Sequence, residues 1–441
     1  MPRRFDLLLK GGTVADHNGV FTRDIGVMDG RTAEIGDLAN ASANETIDAT
    51  GLTILPGVID TQVHFREPGL THKEDLETGS RAAVLGGVTA VFEMPNTDPP
   101  TTNAAALAGK IARATGRMHC DFAFWVGGTH ENWRDVPELE RLPGAAGIKI
   151  FMGSSTGSLL VPDDAGIARI LSGARRRVAV HSEDESRLEE RKPFRLANDA
   201  SSHPVWRDAT CAFEATKRLL RIAREQKALV HVLHVSTGEE VEFLAAHKDI
   251  ASVEVTPHHL TLDAGDYARL GTRLQMNPPV RDKAHQERLW HGVAQSIADI
   301  LGSDHAPHTL EEKAKPYPQS PSGMTGVQTL VPVMLDHVNA GRLSLLRFVD
   351  MTSAGPARLF GIAAKGRIAA GYDADFTIVD MKRRQTIENR WIASRCGWTP
   401  YDGTLVTGWP VGTIIRGRKI MWEGDLITPA QGEPVRFLAA L

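Results

Sequence analysis

Cysteine is scarce in this chain. Three occur in 441 residues, Cys120, Cys211 and Cys396, far apart and without any CxxC spacing. That excludes a disulfide framework and a cysteine-type zinc site, and it fits a reducing compartment. Long apolar runs are also missing. No stretch approaches the roughly 20 residues of a membrane span, and MPRRFDLLLKGG has only three consecutive leucines before Lys10, too few for a signal peptide. Charge of one sign is lacking as well. A formal net charge of −4 gives no basic field for nucleic acid and no polybasic patch for a membrane. The short clusters Arg175–Arg177 and Lys382–Arg384 read as solvated faces. The expectation is a soluble, cytoplasmic protein that acts on a small molecule.

What is present has two textures. Residues 1–55 hold short strand-like runs such as FDLLLKGGTVAD, broken by Gly, Asp and Asn turns. GRIAAGYDADFTIVD and VGTIIRGRKIMWEGDLI return to that texture near the carboxyl end. Residues 1–55 plus 365–441 are therefore expected to form one small composite β domain. Between them, in 56–364, apolar runs alternate with helical stretches rich in Ala, Leu, Glu and Arg. The runs are TILPGVID, TAVFEMP, DFAFWVGG, AGIKIFMG, RVAVHSE, ALVHVLHVS, SVEVTP and ADILGSDHAP. Strand–helix alternation implies parallel βα units. Eight units predict an α/β fold, a closed (β/α)8 TIM-type barrel, with a doubly wound open sheet as the alternative. Polar residues gather at the ends of these runs: Asp60 and His64, Asn96, Lys149, His181, His234, Asp304 and His308. Barrel active sites are built on that rim.

His64, His181, His234 and Asp304 fall at the ends of the first, fifth, sixth and eighth runs. Imidazole and carboxylate converging on one mouth are the ligand set of a catalytic zinc or similar metal. Asp304 is also placed to take a proton from water and return it to a leaving nitrogen. Arg66 follows His64 by two residues and is suited to clamp a substrate carboxylate, or else to pair with Glu67 at the surface. Lys149 at a strand end reads first as a lysine touching substrate or a carboxylate; an amine that has taken up carbon dioxide is the other possibility. GSSTG (153–157) matches the nucleophile elbow of serine hydrolases through Ser155, but Pro162 follows and no clear helix does. His258 and His259 are structural or supporting candidates, and His203, His247, His285, His291 and His337 are assigned to solvent.

The motifs DTQVHFREPGLTHKED, GGVTAVFEMPNTDPPTT, GIKIFMGSSTG, HVLHVSTGEE, EVTPHHL, NPPVRD and GSDHAPH together resemble dihydroorotase of the amidohydrolase superfamily. Each alone also occurs in allantoinases and dihydropyrimidinases; HFREPG with MPNT is more specific. The resemblance implies interconversion of L-dihydroorotate and N-carbamoyl-L-aspartate in pyrimidine synthesis. It implies that Arg66 and Asn96 bind the substrate carboxylate with His308, and that Asn277 contacts the ring. It makes Lys149 a carboxylated lysine bridging two zincs, with His181 and His234 on one metal and His64 and Asp304 on the other. His231 is the lesser ligand of the HVLH pair, and the PSGMTG loop (321–326) closes over substrate. Where the family has His-x-His, this chain has Gln62-Val63-His64. An amide oxygen is a weak zinc ligand, so one strong metal site and a second weak or absent one are expected. A homo-oligomer is expected. The alternatives are a related cyclic amidase, allantoinase- or hydantoinase-like, or an inactive scaffold for aspartate carbamoyltransferase.

Overall fold

The computed structural model describes residues 4–154 and 157–440. Eight parallel strands form one sheet in sequence order: β1 (Val58–Val63), β2 (Val88–Glu93), β3 (Asp121–Gly127), β4 (Ala145–Phe151), β5 (Val178–His181), β6 (Val230–Val232), β7 (Ala251–Val255) and β8 (Ile300–Leu301). The ring closes just beyond β8, where Val63 bridges His305 and the His64 N–H donates to the His305 carbonyl at 2.7 Å. The protein is a (β/α)8 barrel, not an open sheet.

Each strand is buried on both faces, yet the two-residue period still sorts its side chains. On β3, Phe122, Phe124 and Val126 pack outward under the helices, whereas Ala123 and Trp125 point inward beside Phe92 of β2. The covering helices are amphipathic. Ala209–Gln226 begins at Asp208, whose carboxylate accepts from the Cys211 N–H, and buries Ala212, Ala215, Leu219 and Ile222 at helical spacing.

Phe360, Ile362, Val435 and Phe437 enter the barrel interior from outside the strands. Phe437 meets Phe92 edge-on at 5.5 Å and Phe360 meets Trp125 at 5.4 Å. This apolar plug fills the floor and leaves the opposite mouth for polar chemistry. The floor also corrects the assignment of Arg176 and Arg177 to solvent, while Arg175 is exposed as expected. Arg176 donates to the carbonyls of Glu140 and Ala145 at 2.6 and 2.9 Å, and Arg177 to that of Val230 at 2.8 Å. Carbonyls at strand and helix ends need donors, and these two side chains supply them.

A small β domain is built from both chain ends. Its seven-stranded sheet runs in the order Asp425–Leu426, Arg418–Trp422, Leu405–Ile415, Phe376–Thr386, Thr53–Pro56, Thr13–Asp16, Gly19–Thr22. A second sheet uses amino-terminal strands alone, in the order Arg31–Gly36, Asp24–Met28, Arg4–Lys10, Ser42–Asp48. Leu7, Ile25 and Ile47 of that sheet share one core with Ile54, Phe376 and Ile414 of the first. Among the described residues no helix is long and apolar enough to cross a membrane.

Candidate active site

A cavity of about 110 Å³ opens at the carboxyl-terminal mouth of the barrel. Every candidate lines it: His64, Arg66, Asn96, Lys149, His181, His234, Asn277, Asp304 and His308, together with Gln62 and, from the 321–326 loop, Ser322 and Gly323. The loop reaches that depth because residue 323 is glycine. Its φ is +141°, and a Cβ there would lie 2.2 Å from the Ala306 carbonyl oxygen. His231 is not in the cavity; it sits lower in the barrel with its Nδ1 2.8 Å from Ser252 Oγ. His258 and His259 are buried behind the cavity, where His259 Nε2 donates to the Pro278 carbonyl at 3.1 Å. Ser155 lies outside the described residues.

The candidate metal ligands form two pairs. His181 Nδ1 faces His234 Nε2 at 3.0 Å, and His64 Nε2 faces Asp304 Oδ1 at 3.2 Å. Among the described residues no three His, Cys, Asp or Glu side chains gather closely enough to hold a metal by themselves. Lys149 lines the same cavity as both pairs. The chemistry of the donors nevertheless suits a cation. His64 sits between two oxygen acceptors, Nδ1 2.7 Å from Asn96 Oδ1 and Nε2 3.2 Å from Asp304 Oδ1; with the proton on Nδ1, the neutral ring turns a bare Nε2 toward the Asp304 carboxylate. Burial lowers the pKa of His64, His181 and His234 and keeps their lone pairs available.

Burial also pushes the Lys149 amine down to about 7, against the pull of Asp304 and Glu254. It has no hydrogen bond of its own among the described residues, only the Phe151 ring 4.5 Å away. Gln62 Nε2 donates to Asp304 Oδ1 at 3.0 Å, while Gln62 Oε1 is buried without a partner among the described residues. Three of these residues sit in the left-handed region, Arg66 at φ 63°, His234 at φ 37° and Asp304 at φ 46°. Such strain persists only where surrounding structure enforces it.

The anion-binding side lies across the cavity. Glu67 does not pair with Arg66; its carboxylate accepts from Arg117 Nη1 and Nη2 at 2.8 and 3.2 Å. Arg66 is instead buried, donating Nε to the Pro307 carbonyl at 3.2 Å, and has no carboxylate partner among the described residues. Lys73, not singled out from the sequence, donates to His308 Nδ1 at 3.1 Å, and His308 Nε2 then donates to the Ser322 carbonyl at 3.0 Å. Burial, with Arg66 and Lys73 alongside, holds His308 far below its ordinary pKa. Asn96 has spent its oxygen on His64, so its NH2 remains for a ligand.

Sequence reasoning also missed Glu183, Arg207 and His203. Glu183 accepts from His181 Nε2 at 2.8 Å, and Arg207 pairs with Glu183. His203, assigned to solvent from its loop context, is buried against Asn277 Oδ1 at 3.1 Å. An acid two residues past a strand-end histidine, in HSED, was the one available signal.

A profile of the amidohydrolase family matches residues 53–420. The chain is 36% identical over 428 residues to a dihydroorotase of Methanothermobacter thermautotrophicus, covering 96% of each chain. It is 35% identical over 448 residues to an allantoinase of Rubrobacter xylanophilus, covering 98% of each. Among solved structures it superposes on the L-hydantoinase (dihydropyrimidinase) of Arthrobacter aurescens with a TM-score of 0.94 at 31% identity, covering 98% of this chain and 99% of that one.

Proposed function

The chain belongs to the amidohydrolase family and is a cyclic amide hydrolase, and from that premise we propose that its substrate pair is L-dihydroorotate and N-carbamoyl-L-aspartate. The observation that carries this reading is Arg66: a buried guanidinium that faces the cavity without a counter-ion wants an anionic substrate. Allantoin and hydantoin rings carry no carboxylate to meet it. On the same reading residues 56–364 are the catalytic barrel, and 1–55 with 365–441 the small composite domain.

Arg66 and the free NH2 of Asn96 hold the substrate carboxylate, with His308 beside them. Asn277 orients the ring. His181, His234 and a carboxylated Lys149 would hold one zinc firmly; His64 and Asp304 would hold a second weakly, because Gln62 offers only a neutral amide oxygen. Zinc bound there supplies Lewis acidity to polarise the ring carbonyl and to acidify water. The Asp304 carboxylate takes the proton of the attacking water and delivers it to the ring nitrogen as the C–N bond breaks. The buried pocket keeps these groups desolvated, which strengthens each charge interaction.

The test is turnover of L-dihydroorotate, allantoin and hydantoin by protein supplied with zinc and bicarbonate, alongside Arg66→Gln. Dihydroorotate is expected to be the fastest, and Arg66→Gln to lower its kcat/KM about 10²-fold, roughly the ~2–3 kcal/mol of a charge-assisted pair. Faster turnover of either neutral ring, or an unaffected Arg66→Gln variant, would overturn the reading.

A further inference from the structure

HPVWRD (203–208) lies between β5 and the long helix Ala209–Gln226, and places His203 and Arg207 four residues apart on one short helical turn with Arg207 at its carboxyl cap. Neither side chain lines the cavity, yet they are only 1% and 3% exposed. Arg207 grips Glu183, Nε donating to Oε1 at 3.1 Å and Nη2 to Oε2. The same Oε2 accepts from His181 Nε2 at 2.8 Å and from Ser154 Oγ at 3.0 Å. A carboxylate held by a guanidinium can only accept. His181 therefore carries its proton on Nε2 and turns the lone pair of Nδ1 toward His234.

His203 performs the corresponding task for the other half of the cavity. Its Nε2 lies 2.9 Å from the Met276 carbonyl and 3.1 Å from Asn277 Oδ1. Both oxygens accept, so Nε2 holds the proton, and the Asn277 NH2 is left as the group that faces a ligand. His203 Nδ1 accepts from the Tyr317 hydroxyl at 3.4 Å. The turn is tied down further: the Arg207 carbonyl accepts from Arg281 Nη1 at 2.9 Å, and Arg281 Nε donates to Ser236 Oγ at 3.0 Å, two residues beyond His234.

Building on the proposed roles of His181 and Asn277, we propose that His203 and Arg207 are paired positioning residues. One helical turn sets the tautomer of His181 through Glu183 and the amide face of Asn277, and so fixes the metal-binding and substrate-binding halves of the site to a single rigid element. Positions four apart share a helix face, and partners of a ligating histidine govern its affinity for metal.

The two halves have separate readouts in the full-length protein: zinc affinity by chelator competition, and KM at saturating zinc for whichever cyclic amide the wild type hydrolyses fastest. Arg207→Met is expected to weaken zinc about 10- to 100-fold while leaving KM nearly unchanged. His203→Leu is expected to keep its zinc affinity and raise KM about tenfold, and His203→Gln, whose NH2 donates to the same two oxygens, to restore it. If Arg207→Met does not fold, the isosteric Glu183→Gln reads the same half and must also weaken zinc. Unchanged zinc affinity in Arg207→Met or in Glu183→Gln, equal KM defects in His203→Leu and His203→Gln, or movement of both readouts by either residue would overturn the proposal. The zinc measurement uses no substrate, so a failure of the dihydroorotate reading leaves it intact.

Discussion

Two buried lysines stand at opposite mouths of the same barrel. Lys149, on β4, is 1% exposed, and Lys365, under the floor, is 5% exposed. Lys365 donates to Asp121 Oδ2 at 2.7 Å and to Asp375, and lies 3.3 Å from Asp373. Arg416 and Arg436 complete the cluster on Asp121 and Asp373. Burial alone would lower the Lys365 pKa, but the three carboxylates raise it instead. Lys149 has no such partner among the described residues, and burial takes it to about 7. A paired lysine is permanently charged and serves as a joint between barrel and β domain. An unpaired one is in part neutral near physiological pH, and the neutral amine is the form able to add carbon dioxide. The same residue type is thus structural or chemical according to what surrounds it.

The sharpest way to break this comparison is to remove each amine. Lys149→Met should lower turnover by about 10⁴-fold, about 5.5 kcal/mol of transition-state stabilisation. Its thermal midpoint should hold or rise, because an apolar chain of similar length replaces an uncompensated buried amine. Retention of activity within tenfold would remove Lys149 from the chemistry. Lys365→Met should do the reverse. It strands Asp121, Asp373 and Asp375 around a lost cation, at a cost of about 3–5 kcal/mol, while turnover per folded molecule stays within about twofold. Urea denaturation and active-site titration on one preparation measure both quantities. A stable but inactive Lys365→Met would erase the distinction.

The sequence exposed the mouth of the barrel more fully than its support. Eight apolar runs and a rim of His, Asn, Lys and Asp at their ends were visible because strand ends follow locally from periodicity, and the rim follows from closure. Arg66 was legible in chemistry but not in partner: the choice between Glu67 and a ligand depended on Arg117, 50 residues away. Glu183, Arg207 and His203 were hidden for the same reason. Their contacts span 24 and 74 residues, and a Pro-containing segment such as HPVWRD has no period to mark a buried face. The left-handed backbone at His234 and Asp304 has no local signature either. The floor plug was hidden because Phe360 and Phe437 reach the barrel interior from segments that the strand pattern does not include. The composite β domain was legible from its texture, but its division into two sheets came from pairing register.

The smallest effect separates the lysines by pH. Folded Lys149 titrates at about 7 and unfolded lysine near its ordinary 10.5. Below about pH 7 both states keep the proton, and the full burial penalty weighs on the folded protein. Above it the folded state releases the proton while the unfolded state holds it, so the unfolded chain binds more protons and stability rises with pH. The stability difference between wild type and Lys149→Met, measured in metal-free buffer stripped of carbon dioxide, should therefore climb from about pH 7.5 to about pH 9, by at most about 1.4 kcal/mol per pH unit. Groups out of reach of Lys149 cancel in that difference; Glu254, which burial raises to about 8 and the Lys149 charge lowers, shifts with the same sign. Lys365 has the opposite sign. Its folded pKa lies above the ordinary value, so its contribution is fully present throughout that window and is lost only as the pH rises through the folded value. The corresponding difference for Lys365→Met should be flat once the carboxylates that lose their cation, Asp121 and Asp375, are ionised. A flat curve for Lys149 as well would mean that a carboxylate meets its amine in solution, and would return it to the structural class of Lys365.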